Sequence, residues 1–172
     1  MATGYWLLAT GYWLLARKRF MRKSKMAKTS LDKEIADLVS KTDKKSVVSW
    51  ACDCAEHVLP YFEKTYPNDP RPRQAIEAGR TWVRTGIFHI KDIRNASLSS
   101  HAAARDIADG DPAHSAARSA GQAVAATHVP AHAIAAAIYA ATAVRDAFEG
   151  EEGESAALKE REWQRGRLRA SC

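Results

Sequence analysis

The chain has 172 residues, enough for one domain with a real core, and a formal net charge of +6. Seven basic residues and no acidic residue lie within residues 1–28, which leaves residues 29–172 near −1 and argues against a nucleic-acid-binding face on the domain. Three cysteines, Cys52, Cys54 and Cys172, do not make a disulfide framework and favour a reducing cytoplasm.

Residues 1–28 form an apolar and then basic extension that we expect to lie outside the fold. The segment ATGYWLL occurs twice in tandem, at residues 2–8 and 9–15, and the basic run RKRFMRKSK follows. The apolar run is about 15 residues long, below the roughly 20 that a membrane span needs. A signal peptide would place its charges before the apolar region. We therefore expect translation to start near Met26 and the domain to occupy residues 29–172, with a membrane anchor as the alternative.

Two helices are predicted before the turn at residues 66–70. Ser30 is expected to cap the first, over Leu31–Lys41, and Asp43 is expected to cap the second. Apolar residues recur along the second helix at spacings of three and four, the pattern of one buried face. They are Val47, Trp50, Ala51, Cys54, Val58 and Tyr61. Pro60 should kink this helix or end its regular part, because proline removes a backbone donor.

Two further helices are predicted after that turn. Asp69 is expected to cap the third helix and Gly86 to stop it. The fourth helix is predicted over Ile90–Ala108. The tryptophans of the second and third helices, Trp50 and Trp82, are interpreted as core residues rather than interface residues.

The stretch from Pro112 to Phe148 is dominated by alanine, the best helix former. Asp111 is expected to cap it. An unbroken helix of this length would span about 55 Å, so we expect Pro130 to interrupt it. Either the helix kinks there, or Thr127 caps a second helix that begins near residue 128. Small side chains let neighbouring helices approach closely, so this pair should form the centre of the domain.

The C-terminal residues predict a last helix over Ser155–Arg169, preceded by an acidic linker at Glu149–Glu154. Acidic residues lie early in this helix and arginines late, as the helix dipole favours, and Trp163 is expected to dock it. No segment shows the period-two alternation of a strand. The sequence therefore predicts an all-α fold, a single compact bundle of five to seven helices around an Ala-rich central helix pair.

Four histidines offer one kind of candidate chemistry. His128 and His132 are four residues apart, a spacing that places two metal ligands on one helix face. His57 and His101 lie on other predicted helices, and a metal-dependent hydrolase using all four is the alternative function. However, no glutamate adjoins the pair, and Pro130 lies within it. We expect these histidines to form hydrogen bonds between helices, and we predict no cofactor.

A cysteine and a histidine suggest a second chemistry. Cys54 and His57 are three residues apart and resemble a thiol nucleophile with its base. Yet Cys54 falls on the apolar stripe, where a cysteine is usually inert packing. Cys52 and Cys54 would point about 200° apart on a helix and cannot pair. We therefore predict no catalytic residue and no enzymatic activity.

A dense set of charged residues, named here the Asp53–Arg84 polar region, surrounds the turn at residues 66–70. Its members are Asp53, Glu56, Arg71, Arg73, Glu77, Arg80 and Arg84. Glu77 is four residues from Arg73 and three from Arg80, so local ion pairs are expected, each contributing about 0.3–0.5 kcal/mol when exposed. The region is either a structural network that fixes the turn against two helices or a polar rim for a protein partner.

A resemblance to a known family covers residues 47–168. Trp50–Trp82 reads WACDCAEHVLPYFEKTYPNDPRPRQAIEAGRTW and resembles the opening of the Imm-five-like immunity proteins of bacteria. Three later pieces match in the same order, namely HAAAR, AARSAGQAVAATHVPAHAIAAAIYAATA and EREWQRGRL. Residues 1–28 have no counterpart.

This resemblance implies a cytoplasmic protein that neutralises a cognate protein toxin of a polymorphic or contact-dependent system by binding it. It provides no catalytic residue. The matching polar positions are candidates for the partner-binding surface or the structural network: Glu56, His57, Asp69, Arg71, Arg73, Glu77, Arg80, His101, His128 and His132. Nucleic acid is not an expected partner, a membrane is expected only if residues 1–28 are an anchor, and a homodimer is left open.

Overall fold

The structure is a computed structural model that describes residues 30–87 and 89–171. Within these ranges it has seven helices and no strand, which confirms the all-α prediction. The helices are α1 (Ser30–Lys41), α2 (Lys44–Glu63), α3 (Arg71–Thr85), α4 (Ile90–Arg105), α5 (Pro112–Ala125), α6 (Ala131–Asp146) and α7 (Gly150–Arg169). None of these helices is long and apolar enough to span a membrane. The predicted N-terminal extension lies outside the described residues.

The Ala-rich pair, α5 and α6, lies at the centre as predicted. Helix α5 packs against α2, α3, α4 and α6, and α6 packs against α1, α2 and α7 as well. Ten of the 14 residues of α5 are buried, and all but one of these are Ala, Ser or Gly. The bulky side chains of the core come mainly from α1 and α2, among them Ile35, Trp50, Leu59 and Phe62. Small residues on the central pair therefore let the surrounding helices approach closely.

Three predicted helix ends are confirmed. The Asp43 carboxylate accepts hydrogen bonds from two backbone N–H groups in the first turn of α2, and Asp111 accepts one in the first turn of α5. Gly86 ends α3 in the left-handed conformation, with φ 69°. These caps satisfy backbone groups that a helix end would otherwise leave unpaired. The expected burial of Trp50 and Trp82 is also confirmed.

Two expectations at prolines need correction. The N-cap of α3 is Pro70 and not Asp69, and Pro70 makes no side-chain cap hydrogen bond. The Asp69 carboxylate still accepts a hydrogen bond from the backbone N–H of Arg71, the first residue of α3, and it also accepts from the Arg71 guanidinium. Helix α2 continues through Pro60 to Glu63, so this proline does not end the helix, and the alternative of a kink at Pro60 stays a prediction.

The break in the Ala-rich stretch is confirmed, but not with Thr127 as a cap. Helix α5 ends at Ala125 and α6 begins at Ala131, with Pro130 as its N-cap. The Thr127 hydroxyl donates to the carbonyl oxygen of Val124, so it satisfies the end of α5 and not the start of α6.

The predicted linker at Glu149–Glu154 is wrong, because α7 begins at Gly150. Two glutamates occupy its first turn, where the helix dipole favours negative charge. Gly153 lies against α6, and a Cβ atom there would be 2.6 Å from the carbonyl oxygen of Arg145. Glycine therefore allows α7 to start close to α6. Helix α4 is also shorter than predicted and ends at Arg105.

Candidate functional site

Arg80 is the centre of the Asp53–Arg84 polar region. One of its terminal nitrogens lies 2.6 Å from the carboxylate of Asp53 and 2.6 Å from that of Glu56, both on α2. The second carboxylate oxygen of Asp53 accepts a hydrogen bond of 2.7 Å from Arg167 on α7. A chain of alternating charges therefore joins α3 to α2 and α7.

Arg71 and Arg73 pair across the turn between α2 and α3. Arg73 forms a two-point contact with Glu63 at the end of α2, at 2.5 and 2.9 Å. Arg71 contacts Asp69 at 2.6 Å and Asp106, after α4, at 3.0 Å. These hydrogen bonds hold the pKa of Glu63 and of Asp69 below their usual values.

The expected ion pairs within α3 are therefore wrong. Arg73 and Arg80 form their ion pairs with residues of α2 rather than with Glu77, which is exposed on the same helix. A pair between two helices restrains their relative position, whereas a pair within α3 would not. Most positive charges of the polar region already have a negative partner within the protein.

A buried polar network between α6 and α7 was not predicted. The side chain of Gln164 is fully buried and donates to the carbonyl oxygen of Ala137 at 3.0 Å and to Glu160 at 2.9 Å. Its own oxygen accepts from Arg161 at 2.7 Å, and Arg161 pairs with Asp32 of α1. This network fixes α7 against α6 and α1.

His57 extends this network to the surface. Its Nδ1 atom lies 2.8 Å from the buried carboxylate of Glu160. The ring of Trp163 packs on the His57 ring with their centroids 4.1 Å apart, so the tryptophan expected to dock α7 does so against α2. The side chain of His57 is about half exposed, at 49%.

The other three candidate histidines line one groove between α4 and the turn that follows α5. This groove has a volume of about 350 Å³. His132 Nδ1 lies 2.6 Å from the amide oxygen of Gln122, and His128 Nδ1 lies 3.2 Å from the carbonyl oxygen of Ala125. The His128 and His132 rings are stacked, with centroids 6.0 Å apart.

His101 is partly buried in this groove. Its ring packs on the backbone of Gly121, where a Cβ atom would be 2.8 Å from the nearest ring atom. The Nδ1 atom is buried and has no hydrogen-bond partner among the described residues. Burial, aided by the positive charges of Arg118 and Arg105, lowers the pKa of His101 to about 4. Its imidazole is therefore neutral at pH 7.

The four histidines do not form one site. His57 lies against α7, whereas His101, His128 and His132 line the groove beside α4. No three His, Cys, Asp or Glu side chains within the described part of the chain are placed to hold a metal ion together. The convergent set that the metal-hydrolase alternative requires is not found there.

Neither helical cysteine has the environment of a nucleophile. Burial raises the pKa of Cys52 to about 12 and that of Cys54 well above its usual value. His57, the candidate base, contacts Glu160 instead. A thiol must lose its proton to attack, so both cysteines act as small apolar core residues at neutral pH.

The model of the family described as Imm-5 like putative immunity protein matches residues 37–171. The match begins within α1 and extends past the end of α7, so it includes the polar region, the buried network and the groove. No curated protein and no solved structure matches the chain.

Proposed function

The chain belongs to the Imm-5 like immunity protein family, and from this premise we propose that it neutralises a cognate bacterial toxin by binding it in a stoichiometric complex. In this proposal it acts in the cytoplasm, without catalysis and without a cofactor. The toxin belongs to a polymorphic or contact-dependent system, and the complex covers the toxin's active site or holds the toxin in an inactive shape.

The family match over residues 37–171 is the observation that carries this proposal. The rigidity of the fold also supports the proposal. Ion pairs and buried hydrogen bonds join α1, α2, α3, α6 and α7, so the helices keep fixed relative positions. A preorganised surface loses little conformational entropy on binding, which favours high affinity.

Within this proposal the Asp53–Arg84 polar region has a structural role. Arg71, Arg73 and Arg80 each have a carboxylate partner on a neighbouring helix or turn. A toxin would have to compete with these partners, and exposed ion pairs contribute little binding free energy. The region then fixes α3 against α2, while a different surface contacts the toxin.

Co-expression tests the proposed function. A candidate toxin domain, chosen from the genes that adjoin the gene for this chain, is expressed from an inducible promoter, alone or with this chain. We expect growth to stop in the first case and to continue in the second, and the purified pair to elute as one complex. Growth arrest despite soluble, folded chain in the same cells would contradict the proposal.

A further inference from the structure

Exposed apolar side chains lie in and beside the histidine-lined groove. Ile90 is 50% exposed, Leu98 is 51% exposed, and both line the groove. Two further apolar residues are exposed: Val129 follows His128 of the groove, and Ile87 follows Gly86, which lines a neighbouring hollow. Single exposed apolar residues are ordinary, but several around one concave site are typical of a binding surface.

The polar groups of this groove are cationic or neutral. Its described lining residues include Arg94, three histidines, Gln122 and Ser97, but no Asp or Glu. Arg94 is exposed and forms no ion pair with any described residue. A shallower hollow adjoins the groove, shares Ile90 and His128 with it, and adds the positive charge of Lys44.

This environment contrasts with that of the polar region. There, each of Arg71, Arg73 and Arg80 already contacts a carboxylate of the same chain. At the groove, the guanidinium of Arg94 is available to a carboxylate from another molecule. A planar guanidinium binds a carboxylate through two parallel hydrogen bonds, which adds geometric specificity to the attraction.

We propose that the groove between α4 and the α5–α6 turn is the toxin-binding site, and that it takes an apolar segment of the toxin that carries a carboxylate side chain. This inference rests on the proposed function. The apolar side chains of that segment pack on Ile90 and Leu98, and its carboxylate pairs with Arg94. Gln122 and the imidazoles provide further hydrogen-bonding groups. The groove accounts for part of the roughly 800 Å² per partner that a stable interface buries.

Two matched pairs of substitutions test this site. Leu98→Asp and Arg94→Glu alter the groove. Leu158→Asp and Lys159→Glu make the same kinds of change at exposed positions of α7, where Leu158 is 49% exposed and outside the groove. The probe is the candidate toxin domain that this chain neutralises in the co-expression experiment, in a catalytically inactive form, and calorimetry measures its dissociation constant. Circular dichroism and thermal melting confirm that each variant is folded.

We expect each groove substitution to weaken binding by about tenfold or more, and the two α7 substitutions to change it by less than about twofold. Arg94→Gln should give an intermediate loss, and added salt should weaken the wild-type complex more than the Arg94→Gln complex. The Arg71→Ala, Arg73→Ala double variant, if folded, should bind as the wild type does.

The outcomes separate this inference from the proposed function. Wild-type affinity in folded Leu98→Asp and Arg94→Glu variants would overturn the groove as the site and leave stoichiometric neutralisation intact. A loss with Leu98→Asp but none with Arg94→Glu would overturn the carboxylate-bearing partner. Failure of the wild-type chain to bind the toxin would overturn both.

Discussion

Gln164 offers a direct test of how the fold is held together. Replacement by methionine keeps a similar volume and helix propensity but removes all three side-chain hydrogen bonds, two of them to the charged side chains of Glu160 and Arg161. Replacing every residue of a buried polar network by an apolar residue can leave stability unchanged. Replacing only one residue of the network leaves its partners buried with fewer hydrogen bonds, which lowers stability.

The expected loss can be worked from these contacts. A hydrogen bond to a charged group contributes about 1.5–3 kcal/mol, and bonds made by one side chain are not independent. We therefore expect Gln164→Met to lower the free energy of unfolding by about 3 kcal/mol. In a chain of this size that lowers Tm by about 6–12 °C. Urea unfolding followed by circular dichroism gives the free energy, and calorimetry gives Tm.

Gln74→Met is the matched control, because Gln74 is exposed on α3. A surface substitution of this kind should change stability by no more than about 0.5 kcal/mol. If Gln164→Met were as stable as Gln74→Met, the buried network would not hold α7 in place, and the reasoning would be refuted.

Two further predictions concern packing and protonation. Gly79→Ala places a Cβ atom 2.7 Å from the Cys52 sulfur and should lower the free energy of unfolding by about 1 kcal/mol or more. Gly166→Ala, the control, meets open space and should raise the free energy of unfolding by about 0.5–1 kcal/mol. Equal effects of the two substitutions in urea unfolding would contradict the close contact between Gly79 and Cys52. The pKa of His101 is lowered to about 4, so between pH 6.5 and pH 4 the unfolded chain binds a proton that the folded chain does not. The free energy of unfolding should therefore fall as the pH falls through this range. The slope should be less than about 1.4 kcal/mol per pH unit, because the ring is partly exposed. His101→Gln should reduce the stability difference between pH 7 and pH 5, a window above the titration of the carboxylates with lowered pKa; an unchanged difference would contradict this assignment.

Much of the fold could be predicted because its determinants are local. Asp43, Asp111 and Gly86 act within one turn of the helix ends that they define, and Pro130 lies in the break between α5 and α6, as the N-cap of α6. Spacing alone also identified five of the ten buried residues of α2, but it did not identify the other five, which include Leu59 and Phe62. Family resemblance and helical periodicity lead to the same description of residues 47–168.

The packing of α7 could not be predicted from apolar periodicity, because its buried face is largely polar. Ala157, Glu160, Arg161, Gln164 and Leu168 are buried at spacings of three and four, but three of the five are polar or charged. Their burial depends on partners distant in the chain, such as Asp32 and Ala137.

The candidate site shows the same limit. The ion-pair partners of Arg73 and Arg80 lie on α2, so they depend on how α2 and α3 pack, which spacing within α3 does not indicate. The sequence identified the histidines, but not that three of them line one groove while His57 lies apart. The sequence also did not indicate that exposed apolar residues lie together at that groove.

The central claim is that this chain neutralises a toxin by binding it in a stoichiometric complex. A titration of the candidate toxin domain from the co-expression experiment with the purified chain tests this most directly, with the toxin's own activity as the readout. Binding predicts that activity falls in proportion to added chain and reaches its minimum at one equivalent, as expected for a tight complex. Complete loss of toxin activity at a small fraction of one equivalent would indicate turnover, and would contradict the account.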